Sequence, residues 1–245
     1  MAAEVRVARL GTVPYGEARA LQKRLEAGRQ EEEIPDVLLL LEHPPVYTKG
    51  RRATPDELPM GEEWYRRQGI EVTDTDRGGR VTYHGPGQLV GYPIVDLRSL
   101  ANRATPGREA EDVARVDVVG YVGRMERLII DSLAEWGVEA ACIEGETGVW
   151  AGERKIGSIG VHVNRGVTTH GFAINVNNDL QPFEWIVPCG IESCRMTSVS
   201  RELGAEQDMD AFMDTVVRTF GGVYEREPVS AEASELKLGP QPVGS

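Results

Sequence analysis

The segment from Arg77 to Pro93 constrains the fold of this chain more than any other stretch. It reads RGGRVTYHGPGQLVGYP and holds five glycines and two prolines in seventeen residues, with His84 in the middle. Alternation over residues 80–83 predicts a short strand that enters the loop, and Leu89–Val95 predicts a more apolar strand that leaves it. Glycine permits positive φ angles and lets a ligand approach the backbone. The segment therefore predicts a glycine-lined corner between two strands, which is either a pair of turns or a binding loop.

The remaining sequence mixes helical and strand periodicity. Apolar spacing predicts three main helices, at Tyr15–Glu33, Val116–Trp136 and Asp208–Phe220. The predicted strands are Val5–Leu10, Asp36–Glu42, Ile70–Asp74, Val138–Ile143, Thr147–Trp150, Lys155–Asn164 and Val167–Asn175. This order predicts an α+β fold with no clear domain linker. Residues 225–245 are rich in Glu, Ser, Pro and Gly and predict a disordered tail, which leaves a domain spanning residues 1–224.

Charge and composition disfavour several classes of protein. The net charge of −12 argues against a general nucleic-acid binder, and no apolar run approaches the length of a membrane span. Three cysteines and an N-terminus without an export signal predict a cytoplasmic protein without disulfides. Lys49, Arg51 and Arg52 belong to a local basic cluster in this acidic chain. The cluster is either an ordinary mixed-charge surface or a docking site for an acidic partner.

Cys189 is the most suggestive single residue. It lies between Pro188 and Gly190 in what is predicted to be a tight loop, although an inert structural cysteine fits the same pattern. Cys142 is predicted to be a small buried residue in a strand. Cys194 follows Cys189 by five residues, a spacing that fits no common metal site, so no metal is expected.

Lys155 begins a strand whose interior contains Gly157 and Gly160. Glycine weakens a strand unless something must approach the backbone, so the lysine could point inward beside a binding surface. A surface lysine on a hairpin is the alternative. If Gly160 and Gly171 lie on adjacent strands, they would form a groove that admits a slim apolar chain.

Four motifs in this order resemble the lipoyl (octanoyl) transferases of lipoate biosynthesis: RGGRVTYHGPGQLVGYP, KIGSIGVHV, THGFAINV and VPCGI. The early segment LLLLEHPPVYTKGRR also resembles that family, so the resemblance runs from about Leu38 to Val199. It implies a single α+β domain with a mixed, bent sheet flanked by helices, similar to biotin and lipoate protein ligases. It further implies an acyltransferase that needs no cofactor and moves an octanoyl (or lipoyl) group from acyl carrier protein to a lysine of a lipoyl domain.

The resemblance also implies the site residues and partners. Cys189 and Lys155 match the family's catalytic dyad, in which the cysteine carries the acyl group as a thioester. The matching substrate-binding positions are Arg77, Gly78, Gly79, Arg80, Val81, Thr82, Tyr83, His84, Ser158, Ile159, Gly160, Gly171, Phe172 and Ala173. The implied partners are octanoyl-acyl carrier protein, the lipoyl domains of 2-oxoacid dehydrogenase complexes and the glycine cleavage H protein, with the enzyme acting as a monomer.

Other functions are compatible with the same residues. An ATP-dependent lipoate or biotin ligase of this fold would work through an acyl-adenylate and would not need Cys189. A non-catalytic acyl-carrier-binding protein would need the pocket but not the dyad, and a thiol hydrolase is a weaker alternative. Residues 103–116 and the acidic tail match no part of the family.

Overall fold

The computed structural model describes residues 3–101, 117–187 and 195–236, which form two β-sheets and seven helices. The strands are β1 (Ala3–Thr12), β2 (Asp36–Glu42), β3 (Val46–Lys49), β4 (Glu71–Asp74), β5 (Val81–His84), β6 (Gln88–Ile94), β7 (Val149–Ala151), β8 (Arg154–Asn164), β9 (Val167–Asn175), β10 (Arg195–Met196) and β11 (Arg226–Ser230). The helices are α1 (Tyr15–Gln30), α2 (Glu62–Arg67), α3 (Leu97–Ala101), α4 (Val118–Glu135), α5 (Gln181–Glu184), α6 (Val199–Leu203) and α7 (Met209–Tyr224).

The larger sheet has the order β10-β8-β9-β6-β2-β1-β11, with β7 also paired to β8. The pairs β2–β6, β6–β9 and β9–β8 are antiparallel, whereas β1 is parallel to both β2 and β11, and β10 is parallel to β8. The predicted mixed sheet and the α+β class are therefore confirmed. Strand β2 lies near the centre of the sheet, where both its faces are covered. This position explains its uninterrupted apolar sequence.

Helices cover both faces of the larger sheet. Helices α4 and α7 pack on one face and α1 packs on the other. In α4 the buried side chains include Tyr121, Met125, Ile129 and Leu133, which follow the predicted helical spacing. The Asp117 carboxylate accepts a hydrogen bond from the Gly120 amide at 2.8 Å and caps the start of this helix. None of the described helices is long and apolar enough to cross a membrane.

The predicted glycine corner joins the two sheets. Strand β5 belongs to the small sheet, in the order β4-β3-β5, and residues 85–87 lead directly into β6 of the larger sheet. Gly87 has φ +83°, and a Cβ atom there would lie 2.7 Å from the Asn178 amide nitrogen. Glycine is therefore required at this turn by both conformation and space. The two flanking strands were predicted correctly, but the sequence did not indicate that they lie in different sheets.

Two predictions of local structure are wrong. Residues 138–143 form no strand, because only Ala141 pairs, through an isolated bridge to Trp150. Strand β3 was not predicted, because the two prolines before it were interpreted only as the end of the preceding strand.

The predicted disorder of the segment after residue 224 is also wrong as far as residue 236. Strand β11 pairs in parallel with β1, and the Arg226 side chain donates to the Asp36 carboxylate at 2.9 Å. Leu236 is only 3% exposed and packs in the core beneath α1. Backbone pairing with β1 and burial of Leu236 therefore order this segment despite its polar composition. Residues 237–245 of the predicted tail lie outside the described residues.

Candidate functional site

A cavity of about 490 Å³ lies where the segment containing Arg77–His84 faces strands β8 and β9. Nearly all the predicted substrate-binding positions line it: Arg77, Gly78, Gly79, Arg80, Val81, Thr82, His84, Ser158, Ile159, Gly160, Gly171, Phe172 and Ala173. Lys155 lines the same cavity. Motifs separated by up to about a hundred residues in sequence are thus brought together in a single cavity.

Tyr83 is the predicted binding position that does not line the cavity. Its ring packs against Tyr47 and Phe183 in the core beneath the small sheet. Successive strand residues point to opposite faces, so Thr82 and His84 face the cavity while Tyr83 points away. The predicted nucleophile Cys189 lies outside the described residues.

Lys155 is a buried side chain, with 2% of its surface exposed. Its Nζ donates a hydrogen bond to the Thr147 carbonyl oxygen at 2.9 Å. The same nitrogen lies 4.8 Å from the centre of the Trp150 ring, the register partner of Lys155 on β7. The carbonyl contact and the ring contact together hold the Lys155 amine in one place. The interpretation of Lys155 as an inward-pointing residue, rather than a surface lysine, is therefore confirmed.

Gly160 and Gly171 are direct partners in the β8–β9 ladder, as the groove hypothesis required. Protein atoms, however, occupy the space that their side chains would fill. A Cβ atom at Gly171 would lie 2.2 Å from the Gly91 carbonyl oxygen, and one at Gly160 would lie 3.1 Å from the Arg77 Cδ atom. Close packing of adjacent backbone and of the Arg77 side chain therefore gives a structural reason for glycine at both positions, and the passage of an acyl chain over them stays a prediction.

Arg77 holds the glycine-rich segment in place. Its Nη2 donates to the Thr48 carbonyl oxygen at 2.6 Å and to the Arg80 carbonyl oxygen at 2.8 Å. The Gly78 amide in turn donates to the Val161 carbonyl oxygen at 2.9 Å, which ties the segment to the end of β8. A guanidinium with these backbone partners is a structural clamp across the small sheet.

His84 is fixed in one orientation at the cavity wall. Gln88 Nε2 donates to Asn175 Oδ1 at 2.9 Å, so Gln88 Oε1 is the atom that accepts from the His84 Nδ1–H at 2.7 Å. Burial, reinforced by the neighbouring His43, lowers the pKa of His84 to about 3. His84 is therefore neutral at physiological pH, and its Nε2 is a hydrogen-bond acceptor.

Two further histidines lie beside the cavity. His43 contacts the Tyr92 hydroxyl at 2.7 Å through Nε2, and burial lowers its pKa to about 4. His170 contacts Asp76 Oδ1 at 2.8 Å. Burial lowers the pKa of His170, and Asp76 opposes that shift. Burial therefore lowers the pKa of every histidine at or beside the cavity wall among the described residues.

The cavity mouth carries positive charge. Arg51 and Arg52 line the cavity, are exposed, and form no ion pair with any described residue. Lys49, which was grouped with them by sequence, instead bridges Glu62 at 2.7 Å and Asp74 at 3.3 Å. The predicted basic cluster is thus reduced to two available arginines at the entrance.

Several lining residues were missed by sequence reasoning: Tyr15, Val90, Tyr92, Val118, Val122, Gly145, Glu146, Thr147, Val161 and His170. Six of them come from helices or loops that carry no motif, whereas Val90, Tyr92, Val161 and His170 lie inside the quoted motifs, which is the signal that could have found them. Cys142 is exposed rather than buried. Partial burial and the Glu126 carboxylate raise the pKa of its thiol, so it is a poor nucleophile. In the part of the chain that the structure describes, no three His, Cys, Asp or Glu side chains are grouped to hold a metal ion.

Comparison with known proteins agrees with this geometry. The lipoyl protein ligase A/B catalytic domain family matches residues 14–221. An octanoyltransferase from Koribacter versatilis is 42% identical over 232 residues, which cover 94% of this chain and 88% of the relative. An octanoyltransferase from Solibacter usitatus is 44% identical over 218 residues, which cover 89% of this chain and 92% of the relative.

Solved structures of low sequence identity show the same fold. A lipoate-protein ligase A bound with ATP has a TM-score of 0.68 at 17% identity, with 96% of this chain and 91% of that chain covered. A structure described as a bi-partite lipoate protein ligase and its E2 lipoyl domain, from Thermoplasma acidophilum, has a TM-score of 0.70 at 16% identity, with 96% and 89% covered. With the family match over most of its length and relatives above 40% identity, this chain belongs to the lipoyl protein ligase A/B catalytic domain family.

Proposed function

We propose that this protein is an acyltransferase that moves an octanoyl (or lipoyl) group from acyl carrier protein to a lysine of a lipoyl domain. The observation that carries the proposal is the buried amine of Lys155, which opens on a cavity lined by almost every expected acyl-binding position. A volume of about 490 Å³ falls within the range of small-ligand pockets. The relatives named octanoyltransferase support transfer of this acyl group.

The mechanism assigns two steps to the dyad. Lys155 accepts the proton of the Cys189 thiol, and the thiolate attacks the carrier thioester. The carrier thiolate leaves and takes up that proton from Lys155, and the octanoyl group remains as a thioester on Cys189. The acceptor amine then attacks this thioester, an amide forms, and the proton released by the amine returns to the Cys189 sulfur. Thioester exchange is nearly balanced in energy, whereas amide formation is favourable.

The proposed partners are octanoyl-acyl carrier protein and the lipoyl domains of 2-oxoacid dehydrogenase complexes and the glycine cleavage H protein. Arg51 and Arg52 support the docking of acidic partners, because they place positive charge at the entrance of an otherwise acidic protein. We place the reaction in the cytoplasm, where a reactive thiol stays reduced, and assign it to a monomer. The proposed catalytic unit extends to Leu236, since β11 completes the larger sheet.

The main rival is an ATP-dependent ligase, because solved ligases share this fold. Identities of 16–17% to those structures show the fold alone, whereas the octanoyltransferase relatives exceed 40% identity. The two activities use different acyl donors, so the donor distinguishes them. We expect no acylation of a lipoyl domain from free octanoate and ATP, and efficient acylation from octanoyl-acyl carrier protein.

The deciding experiment is intact-mass analysis after incubation with octanoyl-acyl carrier protein alone. We expect the enzyme to gain the mass of one octanoyl group, removable by hydroxylamine and located on Cys189. Cys189→Ala should abolish this adduct, while the matched variant Cys142→Ala should retain it. Transfer by Cys189→Ala at a near-parent rate would show that the acceptor lysine attacks the carrier directly.

Lys155→Ala should slow adduct formation at neutral pH, because a free thiol with a pKa of about 8.5 is then mostly protonated. The rate should recover in part as the pH rises toward that value. Measurement of adduct formation between pH 6.5 and 9 provides the test. A loss that is equal at every pH would indicate that Lys155 does not act on the thiol proton.

A further inference from the structure

One peptide group lies between Lys155 and a carboxylate on a neighbouring helix. The Thr147 carbonyl oxygen accepts a hydrogen bond from Lys155 Nζ at 2.9 Å. The amide of the same peptide group, that of Gly148, donates to Glu126 Oε1 at 3.1 Å. The amine is thus connected through a single rigid, planar unit to Glu126 in α4.

Gly148 allows the peptide group and the Lys155 side chain to lie close together. Its φ of +129° is one that L side chains rarely adopt, and a Cβ atom there would lie 2.7 Å from Lys155 Cε. The same atom would lie 2.6 Å from the Gly157 carbonyl oxygen. The peptide can therefore contact the lysine only because residue 148 has no side chain.

Glu126 is well placed to hold this peptide group in its orientation. Its helix, α4, packs closely against β8. A Cβ atom at Gly157 of β8 would lie 3.0 Å from Ile129 Cγ2 of α4. The neighbouring Met125 is fully buried, while Glu126 itself is half-buried. The Glu126 carboxylate also lies beside the Cys142 thiol, and burial together with this carboxylate raises the pKa of the thiol.

We propose that Glu126 is a positioning residue for the transfer reaction: it holds the Thr147–Gly148 peptide so that the carbonyl orients the Lys155 amine. The inference rests on the proposed role of Lys155. It assigns to Glu126 a hydrogen-bonding function and not a contact with substrate. Gln can replace it, because Gln Oε1 can accept from Gly148 and Nε2 can face the Cys142 sulfur.

The test compares three variants in octanoyl adduct formation. Glu126→Ala should lower the rate by about 10- to 100-fold, the range expected for loss of a hydrogen bond to a charged group. Glu126→Gln should stay within about threefold of the parent, since it keeps the acceptor. The matched control is Glu135→Ala, which removes a glutamate from the same helix where it pairs with Arg218 on the surface, and it should leave the rate unchanged.

A double-mutant cycle separates positioning from a general structural effect. In a Lys155→Ala background, Glu126→Ala should cause no further loss of rate, because the group that it positions is gone. Additive losses, or a Glu126→Gln variant as slow as Glu126→Ala, would overturn the proposal.

Trace acetylation of amines, followed by peptide mass spectrometry, tests the positioning without any octanoyl substrate. Labelling of Lys155 relative to Lys23 should rise at least about threefold in Glu126→Ala, as expected when a hydrogen bond that restrains the amine is lost. It should stay constant in Glu135→Ala. If the parent enzyme forms no octanoyl adduct, the proposed function fails while this labelling still tests the positioning; unchanged labelling in Glu126→Ala overturns the inference itself.

Discussion

His43 and His84 are neutral in the folded protein, and this makes the free energy of unfolding depend on pH. Burial lowers the pKa of His43 to about 4 and that of His84 to about 3. This effect exceeds that of the hydrogen bonds to Val13 and Gln88, which raise the pKa values. A histidine in the unfolded chain has a pKa near 6.5. The unfolded state therefore binds more protons than the folded state at mildly acidic pH, and acid favours unfolding.

We expect the free energy of unfolding to fall as the pH drops from about 6.5 toward the folded-state pKa values. Each histidine contributes a slope of at most about 1.4 kcal/mol per pH unit. His84→Asn keeps a donor for Gln88 and removes the ionisable ring. Urea unfolding between pH 5 and 6.5 should then show a shallower slope than the parent, even where the variant is less stable at pH 7.5. A slope equal to that of the parent would mean that His84 titrates normally in the folded protein.

At the scale of helices and strands, sequence patterns located those elements whose burial follows from local periodicity. Strands β2 and β9 occupy the predicted residues, Asp36–Glu42 and Val167–Asn175. An unbroken apolar run marks β2, and the turn residues 164–166 mark the start of β9. Strand β11 is polar along most of its length and is ordered by its pairing with β1, which no local pattern reveals. The same limit applies to the site. The resemblance located most of the lining residues, whereas the Tyr83 orientation and the reason for Gly171 depended on contacts between strands.

Gly171→Val should test the packing explanation for the β6–β9 ladder. The new side chain would meet the Gly91 carbonyl oxygen and Pro93 Cδ, so we expect destabilisation of about 1–3 kcal/mol from overpacking. Transfer of acyl groups should fall by the same factor for every chain length. Gly123→Ala is a suitable control: its Cβ atom meets nothing within 4 Å in helix α4, and it should be neutral or slightly stabilising. Thermal unfolding and rates with four-, six- and eight-carbon donors provide the measurement. A loss of rate confined to the eight-carbon donor would instead indicate that the acyl chain passes over Gly171.

At the scale of the whole molecule, the charge distribution favours a defined approach for acidic partners. The net charge of −12 repels an acidic protein at long range, whereas Arg51 and Arg52 attract it at the cavity entrance. Other nearby cations are neutralised within the protein, as Arg80 is by Glu57 and Arg66 is by Glu62. Productive encounter should therefore depend on the two entrance arginines.

Reversal of both charges, Arg51→Glu with Arg52→Glu, should slow octanoyl transfer mainly through association and should weaken its dependence on salt. We expect KM for the carrier to rise at low ionic strength while kcat changes little. The control Arg66→Glu with Arg67→Glu changes the net charge equally, but on helix α2, where both arginines pair with glutamates of the same helix. Equal effects of the two double variants would show that only the net charge matters, and unchanged KM in the first would exclude the entrance arginines from docking.

The parallel pairing of β1 with β11 also bears on how the chain is made. Ala3 pairs with Arg226, so one edge of the first described strand is completed by the last described strand. Contacts between residues so distant in sequence slow folding, because the loop-closure entropy is lost before the contact forms. At translation rates of about 5–20 residues per second, β1 waits on the order of 10–40 seconds for this partner. Throughout that interval the nascent chain presents an open strand edge, so we expect newly made protein to depend on chaperones until the ribosome releases it.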